Sequence, residues 1–551
     1  MLITDTSDLW WKSAIIYCLD IETYLDADGD GVGDMAGLLQ RIDYLAQLGV
    51  NTLWLMPFYP SPARDDGYDI KDFYGVDERL GDHGLLVEVI RTAHSRGIRV
   101  IADLIVNHTS DQHPWFVASR RSTTNEFRDF YVWRDTEPGD TSDEVMFPDE
   151  EDSIWEKDER TGEWYLHHFY RHQPDLNLGN PRVIDELTRT IGFWLELGMD
   201  GFRVDSVPFL LKNKDVAGPK TVAADPHDVL RTLRGFLGRR KGDAVMLGEV
   251  NVPHAEQYEY FGGERGDQLQ MMFDFIGMQA AWLAFARHDP APLIEAVESR
   301  PEIHPMCQWA NFLRNHDELT LDKLTEEERQ EVFEAFAPDE SMRIFDRGIK
   351  RRLPPMLGGD PRWVRMAYSL MFSLPGTPCI YYGEEIGMGE DVEAEGRMSV
   401  RTPMQWSPTK NGGFSDAPPS RLIQRPAPDG YGPEHVNVMD QQHDPFSLWS
   451  FFRELIGIRR MHHEIGWGEF AVVEQEAPSV LAHTVSLDTS AILALHNFAP
   501  TPVTVTLTGV LGEEDTVEDL LDGQAAMDHR GTLEVSLEGY GYRWFRVTRE
   551  D

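Results

Sequence analysis

Along this chain the apolar and polar positions repeat one unit: a helical spacing of apolar residues, a glycine, then a short apolar or β-branched run. Leu38, Leu39, Ile42, Leu45 and Leu48 share one helix face, Gly49 can take the left-handed conformation that ends a helix, and residues 50–56 read as a buried strand. The unit recurs with Leu85, Leu86, Val89, Ile90 and Ala93 before Gly97 and a strand at 98–106. It recurs again with Ile184, Leu187, Ile191 and Trp194 before Gly198 and a strand at 199–204, where Asn180 is placed to cap the helix and Pro181 fits its first position. Further runs at 14–20, 244–248, 270–275, 309–313 and 377–382 complete a set of eight strands. Strands alternating with helices call for a parallel sheet covered by helices, and eight such units over about 450 residues fit an α/β fold of the (β/α)8 TIM-barrel type.

Between the third strand and the third helix, residues 109–177 form an excursion rich in aromatics and acids, which predicts an inserted subdomain at the catalytic face. After a last helix near 448–461 the period shortens to two, at 480–485, 491–498, 503–507 and 542–547, the mark of a C-terminal antiparallel β-sandwich. The predicted organisation is a barrel begun by 1–108, interrupted by subdomain 109–177, resumed over 178–465 with a lid segment at 383–430, and followed by the sandwich at 466–551.

Composition narrows the functional class. With 551 residues, 41% of them apolar and 26% charged, the chain can bury a large core and is neither disordered, collagenous nor coiled-coil. Its net charge of −43 sets a field that repels nucleic acid and anionic membranes, so a neutral or cationic small molecule is the expected partner. A homo-oligomer is left open. Three cysteines, Cys18, Cys307 and Cys379, are too few and too scattered for a disulfide framework and read as buried thiols. No basic leader precedes an apolar stretch, and no run approaches the roughly 18 apolar residues of a membrane span, so the expected location is the cytoplasm.

Barrel enzymes carry their chemistry where strands end and loops begin, and three carboxylates fall there: Asp205, Glu249 and Asp317. Arg203, two residues before Asp205, points to the same side of its strand and can keep that carboxylate ionised. His108 after the third strand and His316 before Asp317 offer neutral donors for hydroxyl groups. One rim carboxylate is usually a satisfied ion pair; three, with Arg or His neighbours at two of them, point to catalysis. Just after the first strand, Asp26, Asp28, Asp30 and Asp34 occupy positions 1, 3, 5 and 9 of a loop with Gly31 at 6 and the Val32 carbonyl at 7, as a hard cation requires. Gly37 stands where a full EF-hand has its bidentate Glu, so the loop is a shortened one and its expected occupant is structural Ca2+.

The segments 103–108 (Asp-Leu-Ile-Val-Asn-His), 201–205 (Gly-Phe-Arg-Val-Asp), 248–249 (Gly-Glu) and 315–317 (Asn-His-Asp) resemble, in order, the strand-end motifs of the α-amylase superfamily of retaining glycoside hydrolases and transglycosidases. The resemblance covers nearly the whole chain. Residues 173–177 (Gln-Pro-Asp-Leu-Asn) look like its α-glucosidase and transglucosidase branch, and 64–69, 315–321 and 401–406 are most similar to the trehalose synthases, which isomerise maltose. The resemblance implies that Asp205 is the nucleophile, Glu249 the general acid/base and Asp317 the carboxylate that holds the sugar's 2- and 3-hydroxyls. It also implies an Asp65–Arg401 clamp around the glucose 4-hydroxyl and Tyr68 stacked beneath the ring. A second Ca2+ near Asn107 and Asp175 is a weaker implication. Of Trp115, Trp133, Trp155, Trp164 and Phe169, most are expected to form the subdomain's core and one or two to meet sugar. Two positions depart from the trehalose synthase pattern: Ser206 and Val250 stand where Ala is usual. The expected activity is maltose-to-trehalose isomerisation with minor hydrolysis, the alternatives being an exo-acting α-glucosidase and a non-catalytic binding barrel.

Overall fold

The computed structural model describes residues 9–210, 212, 226–512, 514–522 and 531–549. Eight parallel strands close a barrel: β1 (Ile16–Leu19), β2 (Thr52–Leu55), β3 (Arg99–Leu104), β4 (Gly201–Val204), β5 (Val245–Gly248), β6 (Met271–Phe273), β7 (Gln308–Asn311) and β8 (Thr377–Tyr381). Every barrel strand predicted from the sequence is present, most of them shorter than predicted, and β7 begins one residue before the predicted 309. β1, β2, β4, β5 and β8 are buried along their whole length, because one face fills the barrel and the other is covered by helices. β8 pairs with β1 through Ile16 opposite Cys379, which closes the ring.

The helix ends follow the sequence signals. Asp34 caps α1 (Met35–Leu48) by accepting the Gly37 N–H at 2.6 Å, and Gly49 ends it at φ +100°. Asp82 caps α2 (His83–Ser95); Asn180 caps α3 (Pro181–Leu197) with Pro181 at its first position, and Gly198 follows. Gly201 opens β4 at φ +154°, and a Cβ there would sit 2.3 Å from the Val245 carbonyl oxygen, so only glycine lets β4 and β5 register at this point.

The excursion 109–177 contains a three-stranded antiparallel sheet, with Trp164–Leu166 between Trp133–Arg134 and Trp155–Lys157. Val132, Ile154, Trp155 and Leu166 form its own small core. Not anticipated was a second small sheet in the β7–β8 loop, where Gly348–Ile349 pairs with Leu319–Thr320 and Arg343–Ile344. Its two-residue strands carry no readable periodicity. The C-terminal region is a five-stranded antiparallel sheet facing the pair Val503–Thr508 and Thr532–Leu537 over a shared core that includes Leu493, Leu495, Val505, Val535 and Phe545. It docks on the barrel helix Pro361–Ser373, where His496 Nε2 and Trp544 Nε1 both meet the Ser369 hydroxyl, at 3.0 and 2.9 Å. Cys18, Cys307 and Cys379 are buried free thiols. Among the described residues no helix is long and apolar enough to cross a membrane.

Candidate active site

β4 ends at Val204 and delivers Asp205; β5 ends at Gly248 and delivers Glu249 on the neighbouring strand. One buried guanidinium serves both. Arg203 Nη1 donates to Asp205 Oδ1 at 2.7 Å, and its Nη2 donates to Glu249 Oε2 at 2.7 Å. The same Nη1 reaches Asp103 on β3 at 2.5 Å, and Asp103 also accepts from Trp54 Nε1 on β2 at 2.7 Å. Adjacent barrel strands thus hold the two carboxyls in one ionic frame around a common guanidinium.

Burial pushes the Glu249 carboxyl from its ordinary value of 4.5 up to about 7, assisted by the charges of Asp205 and Asp317 and opposed by Arg203 and by the Ser206 N–H, which donates to Oε2 at 2.9 Å. Near neutrality Glu249 therefore exists in both protonation states, as a group that first gives and then takes a proton must.

Asp317 lies beyond β7 in a loop stapled by Arg314, which donates to the Asp317 carbonyl at 2.9 Å and the Arg351 carbonyl at 2.7 Å. Burial would raise the Asp317 carboxyl, but the Arg397 and Arg401 guanidiniums beside it hold it well below the usual carboxylate range. Arg397 and Arg401 each approach Asp317 Oδ1 at 3.1 Å, and His316 Nε2 stands 3.3 Å from Oδ2. His316 is fully buried and kept neutral by that burial. Its Nε2 meets the Tyr68 hydroxyl at 2.8 Å, and the two rings lie parallel. Tyr68 also receives Arg203 Nη1 at 3.4 Å, which ties it to the Asp205–Glu249 pair. His108 is buried with its ring 5.2 Å from Phe169.

Asp65 and Arg401, expected to clamp the glucose 4-hydroxyl, do not pair directly with each other. Arg401 forms its ion pair with Asp66, and Asp65 instead accepts from Gln173 Nε2 at 2.7 Å. Asp66 adopts φ +47°, the left-handed turn before Gly67, and that turn decides which of two adjacent carboxylates faces the arginine. Burial raises Asp65 to about 7, with Arg397 opposing. Sequence reasoning missed Asp103, Trp54, Asp66 and Arg397. Asp103 stood inside a quoted motif, but neither its bond to Arg203 nor the arrival of Arg397 from a segment far along the chain leaves a spacing signal.

Of the aromatics in the excursion, Trp133 and Trp155 are buried as expected, while Phe169 sits between His108 and Phe209 on the barrel side. Phe147 packs on Phe345 at 4.8 Å, Arg397 lies over Phe147 at 5.0 Å, and Arg347 donates to the Met146 carbonyl at 2.7 Å. The subdomain, the unexpected small sheet and the lid segment therefore meet beside Asp317.

At the loop after β1, carboxylate oxygens of Asp26, Asp28 and Asp34 lie within 4.8 Å of one another. Three converging hard oxygens suit a divalent cation. Asp30 is outside that group: its carboxylate accepts the Val32 N–H at 2.8 Å in a local turn. The loop is fastened to the lid segment, since Ser415 Oγ donates to Asp26 Oδ2 at 2.5 Å and the Ile423 N–H donates to the Gly31 carbonyl at 3.0 Å. Where a second cation was implied, Asp175 is taken up by His168 at 2.6 Å.

Two carboxyls at a barrel rim, one of them able to carry a proton at neutrality, are what chemistry on a glycosidic bond requires. The chain belongs to the α-amylase family: residues 21–337 and 350–468 match its catalytic domain (Alpha amylase, catalytic domain), and residues 490–546 match a sucrose hydrolase-like C-terminal domain. It is 39% identical over 550 residues to the trehalose synthase/amylase TreS of Mycobacterium tuberculosis, a match covering 98% of this chain and 91% of that one. It is 31% identical over 548 residues to the oligo-1,6-glucosidase of Parageobacillus thermoglucosidasius, covering 90% and 92%. Among solved structures, the trehalose-6-phosphate hydrolase of Bacillus licheniformis superposes with a TM-score of 0.79 at 25% identity, covering 98% of this chain and all of that one. The protein is accordingly an α-amylase-family enzyme, a glucosyltransferase/isomerase or an α-glucosidase.

Proposed function

We propose that the protein isomerises maltose to trehalose by intramolecular glucosyl transfer through a covalent glucosyl–Asp205 intermediate, with a minor loss to hydrolysis. The observation that carries this reading is the single Arg203 guanidinium joined to both Asp205 and Glu249. Glu249 protonates the oxygen between the two glucose units as the Asp205 carboxylate attacks the anomeric carbon from the opposite face; the C–O bond breaks and glucose is released into the site. Asp317 accepts hydrogen bonds from the 2- and 3-hydroxyls as positive charge develops on the sugar, and Arg397 and Arg401 keep it charged. The freed glucose then turns and presents its anomeric hydroxyl. Glu249, now a carboxylate, takes that proton, the bond to Asp205 breaks, and trehalose is formed.

Roughly 55 M water competes with the one trapped glucose, so isomerisation needs a covered acceptor site that gives a high effective concentration. The junction of subdomain, small sheet and lid segment beside Asp317 supports such a cover. The test is maltose supplied together with labelled free glucose, with products followed by NMR. Trehalose carrying little label is expected. Glucose as the sole product would hand the protein to the α-glucosidase reading.

A structural Ca2+ held by Asp26, Asp28 and Asp34 completes the proposal. It would neutralise the converging carboxylates of a loop that is bonded to the lid segment.

A further inference from the structure

The side chain of Ser206, directly after the proposed nucleophile, has no part in the chemistry derived so far. It is buried, and its backbone lies at φ +45°, ψ +43°, a left-handed conformation that few residues other than glycine adopt. This turn aims two donors in two directions. The Ser206 N–H reaches Glu249 Oε2 at 2.9 Å, and its hydroxyl donates to Asp205 Oδ2 at 2.7 Å. Arg203 already occupies the other oxygen, Oδ1. On the covalent reading, Oδ2, the oxygen not paired with the charged arginine, is the one that bonds carbon, which puts the Ser206 hydroxyl on the attacking atom.

We propose that Ser206 is a positioning residue whose hydroxyl favours release of the sugar from Asp205 over its capture, shortening the life of the covalent intermediate. The inference rests on the covalent reading above. During capture, Oδ2 spends an electron pair on the C–O bond and the hydroxyl's acceptor weakens, so the hydrogen bond resists the step. During release, the C–Oδ2 bond breaks, its electron pair returns to Oδ2, and the hydroxyl meets the growing negative charge; the proton of the incoming hydroxyl goes to Glu249. One group thus acts with opposite sign on the two half-reactions. A residue that only supported the local fold would slow both.

The test uses the full-length enzyme with p-nitrophenyl α-glucoside, whose leaving group makes capture fast and release limiting. Ser206→Ala is expected to lower kcat about tenfold, equivalent to about 1.4 kcal/mol of barrier, without lowering kcat/KM. A pre-steady-state burst of nitrophenol should grow, and the glucosyl-enzyme should become visible by intact mass. Ser206→Gly, which suits the left-handed backbone, controls for folding and should behave alike. Trapping the wild type with 5-fluoro-α-glucosyl fluoride keeps the two readings apart. If no adduct forms on Asp205, the covalent mechanism fails; if it forms but both variants turn over aryl glucoside at the wild-type rate without a burst, only the role of Ser206 fails. Equal falls in kcat and kcat/KM for both variants would also overturn it.

Discussion

Glu249→Gln should separate catalysis from stability and expose what the protein tolerates in order to hold its acid. The structure places Glu249 under burial and beside two other carboxylates, which lifts it from 4.5 to about 7. At about 1.36 kcal/mol per pH unit, that corresponds to about 3 kcal/mol, a ceiling because 26% of the side chain is still open to water. The folded state binds this proton more tightly than the unfolded chain does. Stability is therefore full below about 4.5, declines as pH rises toward about 7, and stays lower above it. A glutamine can still accept from Arg203 and from the Ser206 N–H but never ionises. The variant should match the wild type near pH 5 and exceed it at pH 8 by up to about 3 kcal/mol, read from urea unfolding at both pH values. On maltose its kcat/KM should fall by about 1,000-fold or more, whereas on α-glucosyl fluoride, whose leaving group needs no proton, the loss should be far smaller. The wild-type kcat/KM on maltose should drop about tenfold per pH unit above about 7, and the variant's residual activity should lack that limb. An alkaline limb that persists in the variant, equal losses on both substrates, or a wild type more stable at pH 8 would refute the assignment.

Asp205→Ala should lower turnover by several orders of magnitude while leaving the fold intact, since water cannot replace a positioned nucleophile; activity within about tenfold of wild type would remove Asp205 from that role. Dialysis against a chelator should lower the melting temperature more than it lowers kcat, because Asp26, Asp28 and Asp34 would then repel and loosen their bonds to the lid segment. Unchanged melting and no bound metal would make the loop a turn only. In a double-mutant cycle on kcat/KM, Asp66→Asn and Arg401→Gln should couple by about 1–3 kcal/mol, and Asp65→Asn with Arg401→Gln by clearly less, since Arg401 pairs with Asp66. The reverse order would restore the clamp suggested by family resemblance.

Period and punctuation sufficed for the barrel. Each helix cap and each glycine stop is a local device, and a strand buried on both faces writes itself as a continuous apolar run, so Asn180, Gly198 and the strand before Asp205 could be read in place. The three candidate carboxylates were legible for the same reason: a barrel delivers side chains at strand ends, and strand ends are visible in sequence. The partners of those side chains were not. Arg397 reaches Asp317 across 80 positions of chain, Asp66 rather than Asp65 meets Arg401 because of one left-handed turn, and the sheet at 319–349 is built of strands too short to show a period. Periodicity reports how a residue relates to neighbours a few positions away, whereas an ion pair depends on the summed geometry of every element between its ends. For that reason the local sequence determined the fold and put the candidate carboxylates at strand ends, and tertiary packing alone decided which charges surround them and so raised Glu249 toward neutrality.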